Sequence, residues 1–286
     1  MGVRIVADSV TYLPPSMAEG LPIAVVPLYV VTEGVAVPET EVDDRAFYDR
    51  LAGAAVLPTS SQPAVTELEA AFLEAIDAGD DVVGVFISSD MSGTVAAAGL
   101  ARDRVLQSHP DARIEIVDSR SNCMQEGFVA LAAARAAAAG ADVDAAAAAA
   151  RDVIGRSRFV FVPRDLENLR KGGRIGRASA LLGSMLQIVP ILTVSHGVTT
   201  TLGRTRTRAK GLAELVARLA ADASAHGLEE LVVHHIDDTE DGERLAAMAA
   251  EIAGGPVRVV PIGPVVGVHV GRGSVGIVYV CREPLV

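Results

Sequence analysis

The side chains of this 286-residue sequence whose types and spacing could do chemistry are mostly hydroxyls. Ser88-Ser89-Asp90-Met91-Ser92-Gly93-Thr94 leaves an apolar run and enters a stretch of helical spacing. A helix start leaves backbone N–H groups without acceptors and carries the positive end of the helix dipole, so Ser92, Gly93 and Thr94 are placed to hold an anion. Gly93 would let a ligand come close to the main chain. A second hydroxyl group, Thr59-Ser60-Ser61, precedes Gln62-Pro63 at another expected helix start. Together Ser60, Ser61 and Ser92 could grip one small anion through neutral donors. His269 lies among apolar residues and glycines, from Gly263 to Gly273, which suggests backbone approach to a ligand and makes it a further donor. Each cluster taken alone also fits an ordinary cap or turn.

Other chemistries are excluded one by one. Cys123 and Cys281 make neither a disulfide framework nor a metal set. His234-His235 lacks a third ligand at recognised spacing and reads as structural. Gly271-Arg-Gly273-Ser-Val-Gly276 matches a dinucleotide fingerprint letter for letter, but an apolar run follows it and the sequence stops ten residues later. Neither lysine sits in a phosphate-binding P-loop, and no G-x-S-x-G or H-E-x-x-H occurs. No metal and no cofactor is expected. An enzyme built here, a hydrolase or phosphotransferase, would need Ser92 as nucleophile and His269 as its base.

Composition narrows the class. Half the residues are hydrophobic and 21% charged, which suits a globular chain with a large core. No run approaches the ~18 to 20 apolar residues of a membrane helix. Met1 to Ser9 carries Arg4 and Asp8, so it is not a signal peptide, and Val6 stands where a myristoylation motif needs Ser or Thr. A cytoplasmic protein is expected. The net charge of −11 is segregated: Arg151 to Lys210 holds 12 basic and 3 acidic residues. Such a tract suits an anionic partner, and a basic adaptor for an acidic protein or nucleic acid is one alternative reading. Nucleic acid itself is disfavoured, because no aromatics interleave the arginines and the rest of the chain would repel phosphate.

The elements that must position these groups follow from periodicity. Val3 to Ala7, Ile23 to Val30, Val82 to Ile87 and Ile114 to Val117 read as strands, alternating with helices over Thr66 to Ala78, Thr94 to Ser108, Met124 to Ala139 and Asp142 to Arg156. That alternation predicts a doubly wound parallel sheet, with ligands beyond the strand ends at Asp8-Ser9, Ser88-Ser89 and Asp118-Ser119. Beyond Arg156 the pattern changes. Phe159 to Val162 is a strand, Asp165 can cap a helix stopped by Gly172-Gly173, and Ala178 to Gln187 reads as an apolar helix. Val189 to Val194 and Val198 to Leu202 flank His196-Gly197 as a hairpin. A helix over Thr207 to His226, strand Leu231 to Ile236, helix Gly242 to Ala253 and strand Val257 to Ile262 follow. Val265 to Val270 and Val275 to Val280 read as closing strands of a mixed sheet. The expectation is an α/β protein of two domains, residues 1–156 and 157–286, with the ligand between them.

In order along the chain, Asp8-Ser9, Thr59-Ser-Ser-Gln-Pro63, Ser88-Ser-Asp-Met-Ser-Gly-Thr94, Leu169-Arg-Lys-Gly-Gly-Arg-Ile175, Pro190-Ile-Leu192, Arg206-Thr207 and Ile262-Gly-Pro-Val-Val-Gly-Val-His269 resemble the DegV family. That family includes the FakB-type fatty-acid-binding subunits of bacterial fatty acid kinase. The resemblance implies a lipid-binding subunit without its own catalytic centre, holding a long-chain fatty acid in a buried tunnel. Hydroxyls matching Ser60 and Ser92, with the histidine matching His269, would hold the carboxyl. A separate kinase subunit would then form the acyl phosphate, facing basic residues that match Arg174 and Arg206. The sequence departs from the family pattern in carrying Ser60 for Thr, Val189 for Lys and Asp90 for Gly. A fixed charge at Asp90 is compatible with a nearby carboxylate only if it points away. Leu181, Leu182, Met185 and Leu186 are candidates for the tunnel wall or for plain core.

Overall fold

The structure is a computed structural model that describes residues 2–51, 57–181 and 188–285. In chain order these form β1 (Val3–Asp8), α1 (Pro15–Ala18), β2 (Ile23–Val26), β3 (Tyr29–Thr32), β4 (Val35–Pro38) and α2 (Asp44–Leu51). Next come β5 (Thr59–Ser61), α3 (Val65–Asp77), β6 (Asp81–Phe86), α4 (Thr94–Ser108), β7 (Ile114–Asp118), α5 (Cys123–Ala138) and α6 (Val143–Arg156). The remainder is β8 (Ser157–Val162), α7 (Glu167–Lys171), β9 (Val189–Ser195), β10 (Val198–Thr205), α8 (Arg208–His226), β11 (Leu228–His235), α9 (Thr239–Ala253), β12 (Arg258–Pro261), α10 (Pro264–Val270) and β13 (Val275–Cys281).

A parallel sheet of order β2-β1-β6-β7 carries the first half. Because side chains alternate along a strand, Ile5, Ala7, Val83 and Val85 face α5 and α6, while Val6, Val82 and Phe86 face α3 and α4. Both faces are covered, as a parallel sheet requires. A mixed sheet of order β10-β9-β8-β13-β11-β12 carries the second half, antiparallel except between β11 and β12. Leu212, Leu215, Leu219 and Leu245 of α8 and α9 cover its outer face. Its inner face turns Phe159, Phe161 and Val278 toward the same core as the parallel sheet. Helix α5 lies between the two sheets and is buried from Cys123 through Leu131. Apolar surface all round, poor for a surface helix, suits that place.

The architecture is the expected α/β arrangement, with four local corrections. Ile23 to Val30 is not one strand. Pro27, which has no N–H to donate, ends β2 after Val26, and β3 joins a small antiparallel sheet of order β4-β3-β5. Thr59 to Ser61 therefore pairs as β5 instead of leading straight into a helix, which begins only at Val65. Val265 to Val270 is helical, not a strand: Pro264 occupies the first helical turn, and distant residues cap it. Over Ala178 to Leu181 the chain is 3-10 helix, and the rest of the expected helix to Gln187 lies outside the described residues.

Candidate functional site

In the parallel sheet the strand order reverses between β1 and β6, and the crevice beyond their carboxyl ends is where such folds bind ligands. The chain leaving β6 makes a tight turn there, with the N–H groups of Met91 and Ser92 both donating to the Ser88 carbonyl, at 2.9 and 3.0 Å. Gly93 then starts α4 without a side-chain cap. The Thr94 N–H donates to the Ser92 hydroxyl at 3.3 Å, and the other N–H groups of the first turn and the dipole of this 15-residue helix are directed to the same end. Thr94 is fully buried, and its hydroxyl meets that of Ser92 at 2.9 Å.

Across the crevice stands His269, near the end of α10. Three residues from the other half of the chain hold the start of this helix. The Val265 N–H donates to the Glu39 carboxylate at 3.2 Å, the Val266 N–H donates to the Tyr12 hydroxyl at 3.1 Å, and Tyr48 donates to the Gly263 carbonyl at 3.0 Å. A side chain at Gly267 would collide with the Tyr48 hydroxyl, so glycine is required for that contact. So fixed, His269 brings Nε2 to 2.7 Å from Ser60 Oγ on β5. Burial, and then the positive charge of Arg174, push the imidazole down to about 4, so it is neutral at pH 7.

Ser60, Ser92 and His269 all line a cavity of about 310 Å³ between the two larger sheets. Its apolar walls come from Phe159 and Phe161 of β8, Val265 and Val266 of α10, and Ile87, Ile236 and Ile262 at strand ends. Size and lining are those of a small-molecule site with few polar groups. A neutral hydroxyl, a neutral imidazole and a helix N-terminus satisfy a buried anion without adding a second buried charge. Arg174 stands exposed at the rim, its guanidinium donating to the carbonyls of Gly172 at 2.6 Å and Met91 at 3.3 Å. Asp90 points away, in an ion pair with Arg120 at 2.5 Å.

The structure brings Ser60, Ser61, Ser92, Gly93 and His269 to this cavity, with Arg174 at its mouth. Thr94 does not line it and instead supports Ser92 from below. Arg206 is exposed and apart from the lining. Asp8 and Ser9 are structural: the Asp8 carboxylate accepts the Ile87 N–H at 2.9 Å, and the Ser9 hydroxyl bonds Glu39. His234 is structural too, accepting the Met124 N–H at 3.1 Å and bonding the Val260 carbonyl at 2.8 Å. Leu181 is not among the described lining residues, and Leu182, Met185 and Leu186 lie outside the described residues. Sequence reasoning missed the polar residues Gln62, Asn122, Thr199 and Ser274 in the lining. Of these only Gln62 carried a signal, its place beside Ser60-Ser61. Among the described residues no group of three His, Cys, Asp or Glu is placed to hold a metal ion, and no helix is long and apolar enough to cross a membrane.

Fold and site together define an α/β protein, built on two large sheets and a small third one, with an apolar cavity lined in part by neutral hydrogen-bonding groups. A family model described as "Uncharacterised protein, DegV family" matches residues 2–282. A DegV domain-containing protein of Clostridium acetobutylicum is 40% identical over 280 residues, covering 98% of each chain. The chain belongs to the DegV family. A DegV family protein from Thermus thermophilus, whose structure is described by its fatty acid binding, matches with a TM-score of 0.88 at 28% identity, over 98% of this chain and 100% of that one. DegV of Bacillus subtilis, described as a fatty acid binding protein, matches with a TM-score of 0.86 at 30% identity, over 98% and 99% of the two chains.

Proposed function

We propose that this chain binds a long-chain fatty acid between its two halves, residues 1–156 and 157–286 taken as two domains, and presents the carboxyl group to a separate kinase subunit. The observation that carries the reading is the apolar cavity whose lining includes Ser60, Ser92 and neutral His269. About 15 methylenes at ~0.8 kcal/mol each give on the order of 12 kcal/mol of gross burial, which exceeds association costs of several kcal/mol. The hydroxyls and the α4 N-terminus take the carboxylate while leaving an oxygen open to attack phosphorus, which a bidentate arginine would block. The kinase approaches over the basic tract, where Arg204 and Arg206 are exposed and form no ion pair among the described residues. Phosphoryl transfer then belongs to the partner, no catalytic group to this chain, and the cytoplasm is where the two meet.

Native mass spectrometry of protein purified from a bacterial host tests the reading. A bound mass in the fatty-acid range is expected, and protein that is empty and also ignores added oleate and palmitate would remove it. Ser92→Ala should weaken oleate binding by about tenfold, the loss expected for one hydrogen bond to a charged group, measured by titration calorimetry on delipidated protein. A hydrolase at the same place is disfavoured by geometry. His269 meets Ser60, not Ser92, and its Nδ1 has no hydrogen-bond partner, whereas a general base needs a group orienting that nitrogen.

A further inference from the structure

Helices α7 and α10 meet through two glycines. Gly172 closes α7 with φ −76° and ψ −6°, a conformation open to any residue, so the backbone does not demand glycine there. Space does. A Cβ at Gly172 would sit 2.5 Å from His269 Nδ1 and 3.1 Å from the Asn168 carbonyl oxygen. Reciprocally, Asn168 lies against Gly271 at the end of α10, where a Cβ would come within 3.1 Å of its Nδ2. A histidine that must hold one orientation usually donates its second ring nitrogen to a carbonyl or carboxylate. His269 lacks that bond, since Nδ1 is buried without a partner. Two contacts orient its ring instead: Ser60 at Nε2 and the bare Cα of Gly172 behind Nδ1.

We propose that Gly172 is a positioning residue of the ligand site: its missing side chain sets the depth at which the His269 imidazole sits, and so the meeting of Nε2 with Ser60. The consequence for ligand affinity rests on the fatty-acid reading above; the geometric claim does not. An added methyl cannot be absorbed by moving the Asn168 carbonyl, which is helix backbone, so the imidazole must yield toward the cavity.

The test is a cycle of full-length proteins: the unsubstituted chain, Gly172→Ala, His269→Ala and the double variant. Each is delipidated and titrated with oleate, and the His269 Cε1–H resonance is followed against pH. Gly172→Ala should weaken oleate by about tenfold, in the range of one lost bond to a charged group. In the His269→Ala background the same change should shift affinity by less than about twofold, because the ring it displaces is gone. The His269 titration midpoint should also rise from about 4 toward the ordinary 6.5 as the ring leaves its buried place. Alanine suits the backbone conformation at this position, so the fold should persist, with any loss of thermal stability confined to the cost of displacing the ring. Oleate affinity and a His269 midpoint both unchanged by Gly172→Ala would overturn the proposal, as would losses that simply add in the double variant. If the unsubstituted chain ignores oleate, the fatty-acid reading fails, and the His269 midpoint alone decides the positioning claim.

Discussion

Val266→Trp should weaken fatty-acid binding on the order of 100-fold while leaving the protein folded. Val266 is 6% exposed, sits on α10 and lines the cavity, so the larger ring projects into space that an acyl chain would occupy. Displacing four methylenes, at ~0.8 kcal/mol each, loses about 3 kcal/mol, on the order of 100-fold in affinity. That exceeds the roughly tenfold effect expected of Ser92→Ala, because hydrophobic burial supplies most of the affinity and the polar end mainly sets orientation. Filling a void also adds contacts, so the melting temperature should hold or rise. Titration with oleate and thermal unfolding, run on the same preparation, check both halves. Retained oleate affinity would mean that the cavity is packing slack rather than a binding tunnel.

The groups easiest to find in the sequence were those whose role is settled within a few residues. Ser92 and Gly93 stand at a strand-to-helix junction, and that junction alone dictates free N–H groups and a positive helix end. His269 lines the cavity, as its place among glycines suggests, but on a helix rather than the expected strand. Apart from His269, Val265 to Val270 holds only valines and a glycine, and such a run has no period to separate strand from helix. What decides for helix is the capping by Tyr12, Glu39 and Tyr48, more than 200 residues earlier in the chain. The same distance hides the cavity wall. Phe159 and Phe161 look like any strand core, and only the packing of α5 between two sheets determines that their ends face a cavity instead of a neighbour. Asp8 and Ser9 show the opposite error: polar residues at a strand end, in the right place for a ligand, that serve the backbone and Glu39 instead.

Those residues form part of a buried acidic group that governs how stability depends on pH. Asp8, Glu39 and Glu126 are all buried beside the end of β1. Burial pushes the Asp8 carboxyl up to about 6 and that of Glu39 to about 7, while hydrogen bonds to each work in the other direction. Glu126 is pushed well up, first by burial and then by its neighbour Asp8, whose negative charge and hydrogen bonding both favour the protonated form. A carboxyl raised in the folded state keeps its proton where the unfolded chain has lost it. Its stabilising contribution is therefore complete below the unfolded value near 4 and is lost as pH rises through the folded value. His234 and His269, both pushed down to about 4 by burial, act in the opposite sense: their contribution is complete above 6.5 and is lost as pH falls toward 4.

Between pH 4.5 and 6.5 these opposing groups flatten the dependence, but above 6.5 the histidines are neutral in both states and silent. From pH 6.5 to 8 the protein should thus lose stability, by up to about 1.4 kcal/mol per pH unit for each proton the folded state alone retains. Glu126→Gln keeps the shape and removes the titrating group. It should stabilise the protein at pH 8, because the fold no longer has to hold a proton that the unfolded chain has lost, a cost of about 1.4 kcal/mol per pH unit over which it is retained, and it should reduce the slope. Urea unfolding at pH 6.5, 7.25 and 8 measures both. A stability that rises across this window, or a Glu126→Gln protein weaker than the unsubstituted chain at pH 8, would mean that the buried carboxyls are held ionised in the fold.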